Sequence, residues 1–329
     1  PLPRVAPRTE LRPAPNPRPR RSTGGRSGQA GTSGGSGDPQ APIPMHADST
    51  PRNGVHFDDN VQAGTVLRNV RIEGFSGTVN GGLRLDPGAS PAIVESCLIQ
   101  SDESGAVAVY VASGASVSSF ENKVLDTERL TVDAALPAFS ELLQTSNTYE
   151  APVRVRSGAT NGADMVWTRP LASDSSPQAI EAANSLNIAG GSLSIAAGNR
   201  IEMPLNTQFT TTDAQLLVDG TAGDPVVFEP ASGVAYWQGL RLRGASAQGV
   251  SRLTSVVLRD AGSDPALGAS TQRAALIAEA RNGVPATPSI TDTSIVDSNG
   301  YGMVFNDTTH CGGMCDGNTI SGARFSALR

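Results

Sequence analysis

Pro91–Ala108 reads PAIVESCLIQSDESGAVA, and 197 positions later Pro288–Phe305 reads PSITDTSIVDSNGYGMVF. Both stretches open on Pro, place an Ile two residues on, and continue as a short alternation of apolar and polar residues. Alternation with period two is the mark of a strand with one buried face. The likeness extends outward in both directions. Leu67–Gly77 (LRNVRIEGFSG) aligns with Leu253–Ser263 at an offset of 186, Asn53–Phe57 with Gln238–Leu242 at 185, and Asn122–Val124 with Asn318–Ile320 at 196. The order is kept while the offset drifts, as it does when loops of different length are inserted into one repeating frame.

Within each copy, apolar positions recur about every 20 to 25 residues: Val70 with Ile72, then Ile93 with Leu98, then Val117 with Val124. Similar short runs occur at Thr65–Ile72, Ala106–Val111, Ser192–Ile195 and Leu253–Leu258, separated by Gly, Asn, Asp and Ser. No window of helical length carries a clean 3.6-residue period, and the best one, Asp133–Gln144, is interrupted by Pro137. Many short strands at close spacing, duplicated in order, predict an all-β solenoid in which each period forms one coil. Left-handed bends between strands suit Asn and Gly, and Asn69, Asn122 and Asn318 fall where such bends are needed.

Composition agrees. The chain has 329 residues, 38% of them hydrophobic, but only eight Phe, four Tyr and two Trp beside 36 Gly. A narrow interior of stacked Val, Ile, Leu and Ala suits that mixture better than an ordinary α/β enzyme core. The net charge of −6 divides unevenly, because residues 1–50 hold seven Arg against Glu10, Asp38 and Asp48, leaving the remainder at −10 with Lys123 as its one lysine. An acidic body disfavours nucleic-acid binding, which depends on Lys and Arg displacing counterions. No apolar run approaches the length of a membrane span.

Residues 1–51 are rich in Pro, Arg and Gly without apolar periodicity, and are expected to be a disordered tail. Residues 52–329 are expected to form the solenoid, with related copies at about 52–169 and 180–329. The first copy lacks counterparts of Ile180–Tyr236, and the chain ends at Leu328–Arg329 just past a coil phrase. The expectation is a fragment of a longer protein with its export signal missing.

From Ile180 to Ala261 five phrases follow in order: Ser185–Ile188, Gly191–Arg200 (GSLSIAAGNR), Leu216–Glu229 (LLVDGTAGDPVVFE), Tyr236–Gly239 (YWQG) and Leu253–Gly262 (LTSVVLRDAG). In these the chain resembles bacterial right-handed parallel β-helix repeat proteins, the non-catalytic surface or secreted branch of the pectin-lyase-like superfold. The resemblance implies a right-handed parallel β-helix outside the cell, in a structural or adhesive role that engages polysaccharide or another surface protein. It names no catalytic residue. The alternative is a polysaccharide lyase or glycoside hydrolase of the same superfold. That would need several acids from successive coils aligned in one groove with an Arg.

Candidate sites are few. His56, Asp58 and Asp59 are the nearest approach to a catalytic cluster, but adjacent strand residues point to opposite faces, and an Asx turn accounts for the aspartates. Asp292, Asp297 and Asn299 offer oxygens to Ca²⁺ if one turn gathers them, with turn roles the plainer account. Otherwise no cofactor is expected. Trp167, Tyr236 and Trp237 suit sugar stacking where exposed and core packing where not, with packing favoured for Trp237. His310, Cys311 and Cys315 lie in HCGGMC. A Cys311–Cys315 disulfide suits an exported chain better than zinc, which lacks a fourth ligand. Cys97 reads as an isolated core thiol.

Overall fold

Strand alternation becomes a parallel β-solenoid when each coil returns the chain to lie over the one before. In the computed structural model of the protein the strands do this throughout, with parallel pairing at every ladder between them. The structure describes residues 43–46, 54–61, 65–75, 81–89, 93–100, 107–115, 120–124, 131–136, 138–143, 147–160, 162–244, 251–262, 273–306 and 316–324. The one helix among them is the short Ala138–Leu142, within the window Asp133–Gln144. No helix among the described residues is long and apolar enough to cross a membrane.

The chain forms two compact units, one of residues 1–134, 144–151 and 171–176, the other of residues 135–143, 152–170 and 177–329. In the first unit, one sheet stacks Ile43–His46, Val70–Glu73, Ile93–Gln100, Phe120–Val124 and Thr148–Tyr149. The other carries Val55–Phe57, Leu83–Leu85, Val107–Val111 and Thr131–Ala135. The strand at Ile43–His46 pairs in register with Val70–Glu73.

The second unit has three sheets. Its longest inner column runs Val153, Ile180, Ile201, Phe228, Leu258, Ile295 and Ile320 by successive register partners. Its first six members are fully buried. Each such side chain contributes about 1.5–3 kcal/mol relative to exposure. Sequence separations along this column range from 21 to 37 residues rather than 20 to 25. The strand register is kept across these unequal separations.

Corners turn on single left-handed residues. Asn69 (φ 56°) separates Val66–Arg68 from Val70–Glu73, and Ser255 (φ 50°), its counterpart in the duplication, separates Arg252–Thr254 from Val256–Arg259. Asn318 differs from expectation. Gly317 takes the left-handed angle (φ 68°). Asn318 instead joins coils, its Nδ2 donating to Ile290 O at 2.8 Å and its Oδ1 accepting from Thr293 N at 2.9 Å. Asn122 lies within the strand Phe120–Val124 rather than at a corner.

The scarce aromatics of this unit are concentrated. Phe139, Trp167, Phe209, Phe228 and Trp237 follow one another through the interior at centroid separations of 5.1, 6.1, 5.6 and 6.2 Å. The first three contacts are edge-to-face, the arrangement ring quadrupoles favour.

Candidate functional site

Parallel in-register stacking brings outward side chains of successive coils to about 4.8 Å from one another at the backbone. On the outer face of the sheet containing Ile180–Ala182, one such column runs Arg154, Glu181, Glu202 and Glu229. Three carboxylates from three coils are thus aligned, with arginine beside them. Arg154 Nη2 lies 3.2 Å from Glu181 Oε2, Arg200 Nη2 lies 3.0 Å from Glu202 Oε1, and Arg200 Nε also contacts Glu229. One guanidinium therefore serves two carboxylates.

Glu202 is the most buried carboxylate of the three. Burial pushes its carboxyl above the usual glutamate range, Arg200 pulls against that, and Glu181 and Glu229 add to the rise. The same acidic region continues past the strand Val256–Arg259. There Asp260 is raised by burial and by Asp297, against the pull of Arg259, with Glu229 adding a smaller push. A carboxyl of raised proton affinity is raw material for acid–base chemistry. Here the same residues also hold neighbouring coils together.

None of these glutamates stands out in the sequence, because their alignment depends on coil lengths of 21 and 27 residues that only the register reveals. The one available signal is a Glu directly after an apolar Ile or Phe in IEA, RIEM and VVFEP.

His56 has a carboxylate partner, but it is neither Asp58 nor Asp59. His56 Nε2 is 2.6 Å from Asp86 Oδ2 on the next coil, and Arg84 Nε donates to Asp86 Oδ1 at 2.7 Å. The Arg84 guanidinium lies over the Tyr110 ring, 5.2 Å from its centroid. Burial acts to raise the Asp86 carboxyl, but the bonds from Arg84 and His56 outweigh it and hold it below the usual range. Asp58 Oδ1 accepts from Asn60 N at 3.0 Å, an Asx turn, and Asp59 accepts from Asn60 Nδ2.

The oxygens proposed for Ca²⁺ do not converge. Asp292 and Asp297 are the left-handed bends before and after the strand Ser294–Val296 (φ 50° and 55°). The four residues between them, three forming that strand, set them roughly 15 Å apart, far beyond the reach of one ion's ligand shell. Each carboxylate instead packs over a left-handed glycine of the next coil, Gly317 or Gly322, where a side chain would collide with it. Asn299 Oδ1 accepts from Arg324 Nη1 at 3.3 Å. Among the described residues no three His, Cys, Asp or Glu side chains are grouped to hold a metal.

Trp167 is fully buried between Phe139 and Phe209, so its ring offers no face to a sugar. Trp237 is likewise buried, and its Nε1 donates to Arg259 O at 3.0 Å. Tyr236 is half-buried. Cys97 is a buried thiol outside any disulfide, its pKa pushed up to about 12 mainly by burial. His310, Cys311 and Cys315 lie outside the described residues. No protein-family profile, curated protein or solved structure matches the chain.

Proposed function

We propose that the chain is a structural or adhesive module of the secreted or cell-surface kind, whose flat outer faces lie along polysaccharide. The observation that carries this reading is the use of outward charge. Arg68–Glu95, Arg154–Glu181, Arg200–Glu229, Arg241–Glu279 and Arg252–Asp219 each join one coil to another. Side chains spent on locking coils suit a stiff, smooth surface rather than a reacting cleft. The acidic body argues for a neutral or cationic glycan over nucleic acid. A glycan array probed with residues 43–329, run alongside assays for reducing ends and unsaturated products, tests it. Binding without product supports the reading, and product without retained binding overturns it.

A second reading, glycoside hydrolysis, is favoured by the Glu181–Glu202–Glu229 column. Glu202, raised in proton affinity, is the acid of that reading, and Glu181 or Glu229, held by arginine, is the base or nucleophile. Hydrolases use two carboxyls roughly 5–9.5 Å apart, and backbone spacings of one or two coils span that range. Product release abolished by both Glu202→Gln and Glu229→Gln, with Tm retained, would establish it.

A further inference from the structure

We propose that Asn282–Gly283 is a spontaneous modification site, at which the chain loses ammonia and acquires aspartate or isoaspartate. The four residues Arg281–Val284 form a tight turn closed by Arg281 N to Val284 O (2.8 Å) and Val284 N to Arg281 O (2.9 Å). Asn282 (φ 51°) and Gly283 (φ 77°) are its two central residues, both exposed. Two positive angles in succession define the type I′ turn, for which Asn-Gly is the preferred sequence.

That preference brings the reactive pair together. The amide nitrogen of Gly283 attacks Cγ of Asn282, the carboxamide nitrogen departs as ammonia, and a five-membered succinimide forms. Water then opens either carbonyl, giving aspartate or a backbone-lengthened isoaspartate. No enzyme or oxidant is required. Two features of the turn favour the step. The approach to Gly283 is open, since even an added Cβ there would meet nothing within 4 Å. Neither the Asn282 carboxamide nor the Gly283 N–H is held by a hydrogen bond among the described residues. Ring closure needs the Asn282 backbone to leave its turn angle, so the rate follows the opening of two surface hydrogen bonds, among the least costly openings in a fold.

The same chain carries an internal contrast at Asn299–Gly300. Here Asn299 Oδ1 accepts from Arg324, Asn299 N donates to Ala261 O at 2.9 Å, and Gly300 N donates to Ser298 Oγ at 3.3 Å. Gly300 is buried, and an added Cβ there would collide with the Arg273 carbonyl. Identical dipeptides thus occupy opposite extremes of access. The consequence at residue 282 is a new negative charge next to Arg281, whose Nη1 already bonds Asp213 Oδ2 at 2.6 Å.

The test incubates the full chain in mildly alkaline buffer and follows both peptides by mass spectrometry, with isoaspartate identified by its own elution. Folded protein is expected to convert Asn282 about tenfold or more faster than Asn299, because opening costs rise from near zero at surface turns toward the global value in the interior. In urea the two rates are expected to converge. An Asn282→Gln variant, whose longer side chain disfavours ring closure, is expected to remove the acidic shift assigned to this peptide. Equal rates in the folded chain, or an Asn282 peptide unchanged in the folded state while Asn299 converts, would overturn the proposal.

Discussion

Arg169 Nη1 reaches Asp224 Oδ2 at 2.9 Å across a full intervening coil, passing over Gly198. The three residues follow successive strands of one sheet, aligned through Trp167, Ile195 and Val218. A Cβ at residue 198 would stand 2.6 Å from both the guanidinium and the carboxylate, and the backbone there is left-handed (φ 72°). Gly198→Ala is therefore expected to destabilise the second unit by about 1–3 kcal/mol, combining backbone strain with displacement of the pair. Asp224→Ala alone removes a half-exposed ion pair and should cost about 1 kcal/mol or less. The double variant should fall short of the sum, since both changes act on one contact. Chemical unfolding of the three variants checks this, and strict additivity would show that Gly198 serves the backbone angle alone.

The Glu202 carboxyl predicts an unusual pH response. Its folded-state proton affinity is raised, so its contribution to stability is fully present below the unfolded-state value near 4.5 and is lost as pH rises through the higher folded value. Ionised Glu202 is thus a small liability at neutral pH. Glu202→Gln should raise Tm at neutral pH and lose that advantage under acid conditions, where the native residue is already neutral. Thermal unfolding of both proteins across the pH range reads the difference. A lower Tm for the variant at neutral pH would mean that the Arg200 contact outweighs the desolvation and crowding.

Asp86 should behave in the opposite sense. Its folded-state affinity is lowered, so the stability it adds is present above the unfolded-state value of 3.8 and disappears as pH falls through the folded one. Asp86→Asn should lower stability by about 1 kcal/mol at neutral pH, with the deficit vanishing in strong acid. Replacing Asp58 instead should leave the His56 contact in place, because Asp58 bonds only its own turn. A shift of the His56 ring signals in Asp86→Asn but not in Asp58→Asn, followed by NMR, separates the two aspartates.

Particular residues show why the architecture was legible and the outer column was not. Leu67 and Leu253 sit in phrases whose alternation reads directly as strands, and Asn69 and Ser255 take left-handed bends at matching places after them. Alternation reports which face of a strand is buried, and that is a local property. The meeting of Glu181, Glu202 and Glu229, or of His56 with Asp86, depends on how many residues each loop takes before the chain returns. Loop length carries no alternating signal, so neighbours across coils stay hidden until the register is known. Asp292 and Asp297 failed as a pair for the complementary reason: their closeness in sequence is spent on a strand that holds them apart.

Trp167 offers the sharpest separation of packing from hydrogen bonding. Its indole is fully buried in the aromatic run, and Nε1 finds no acceptor among the described residues. A buried unpaired donor costs about 1–3 kcal/mol, while loss of ring volume has its own penalty. Trp167→Phe keeps edge contacts to Phe139 and Phe209 and removes the unpaired donor, so its net effect should lie within about 1.5 kcal/mol of zero. Trp167→Ala opens a cavity in the run and should cost about 3–5 kcal/mol. If glycan binding resides on outer faces, Trp167→Phe should leave it unchanged. Loss of binding in a Phe variant of native Tm would place the indole at the ligand, contrary to its burial.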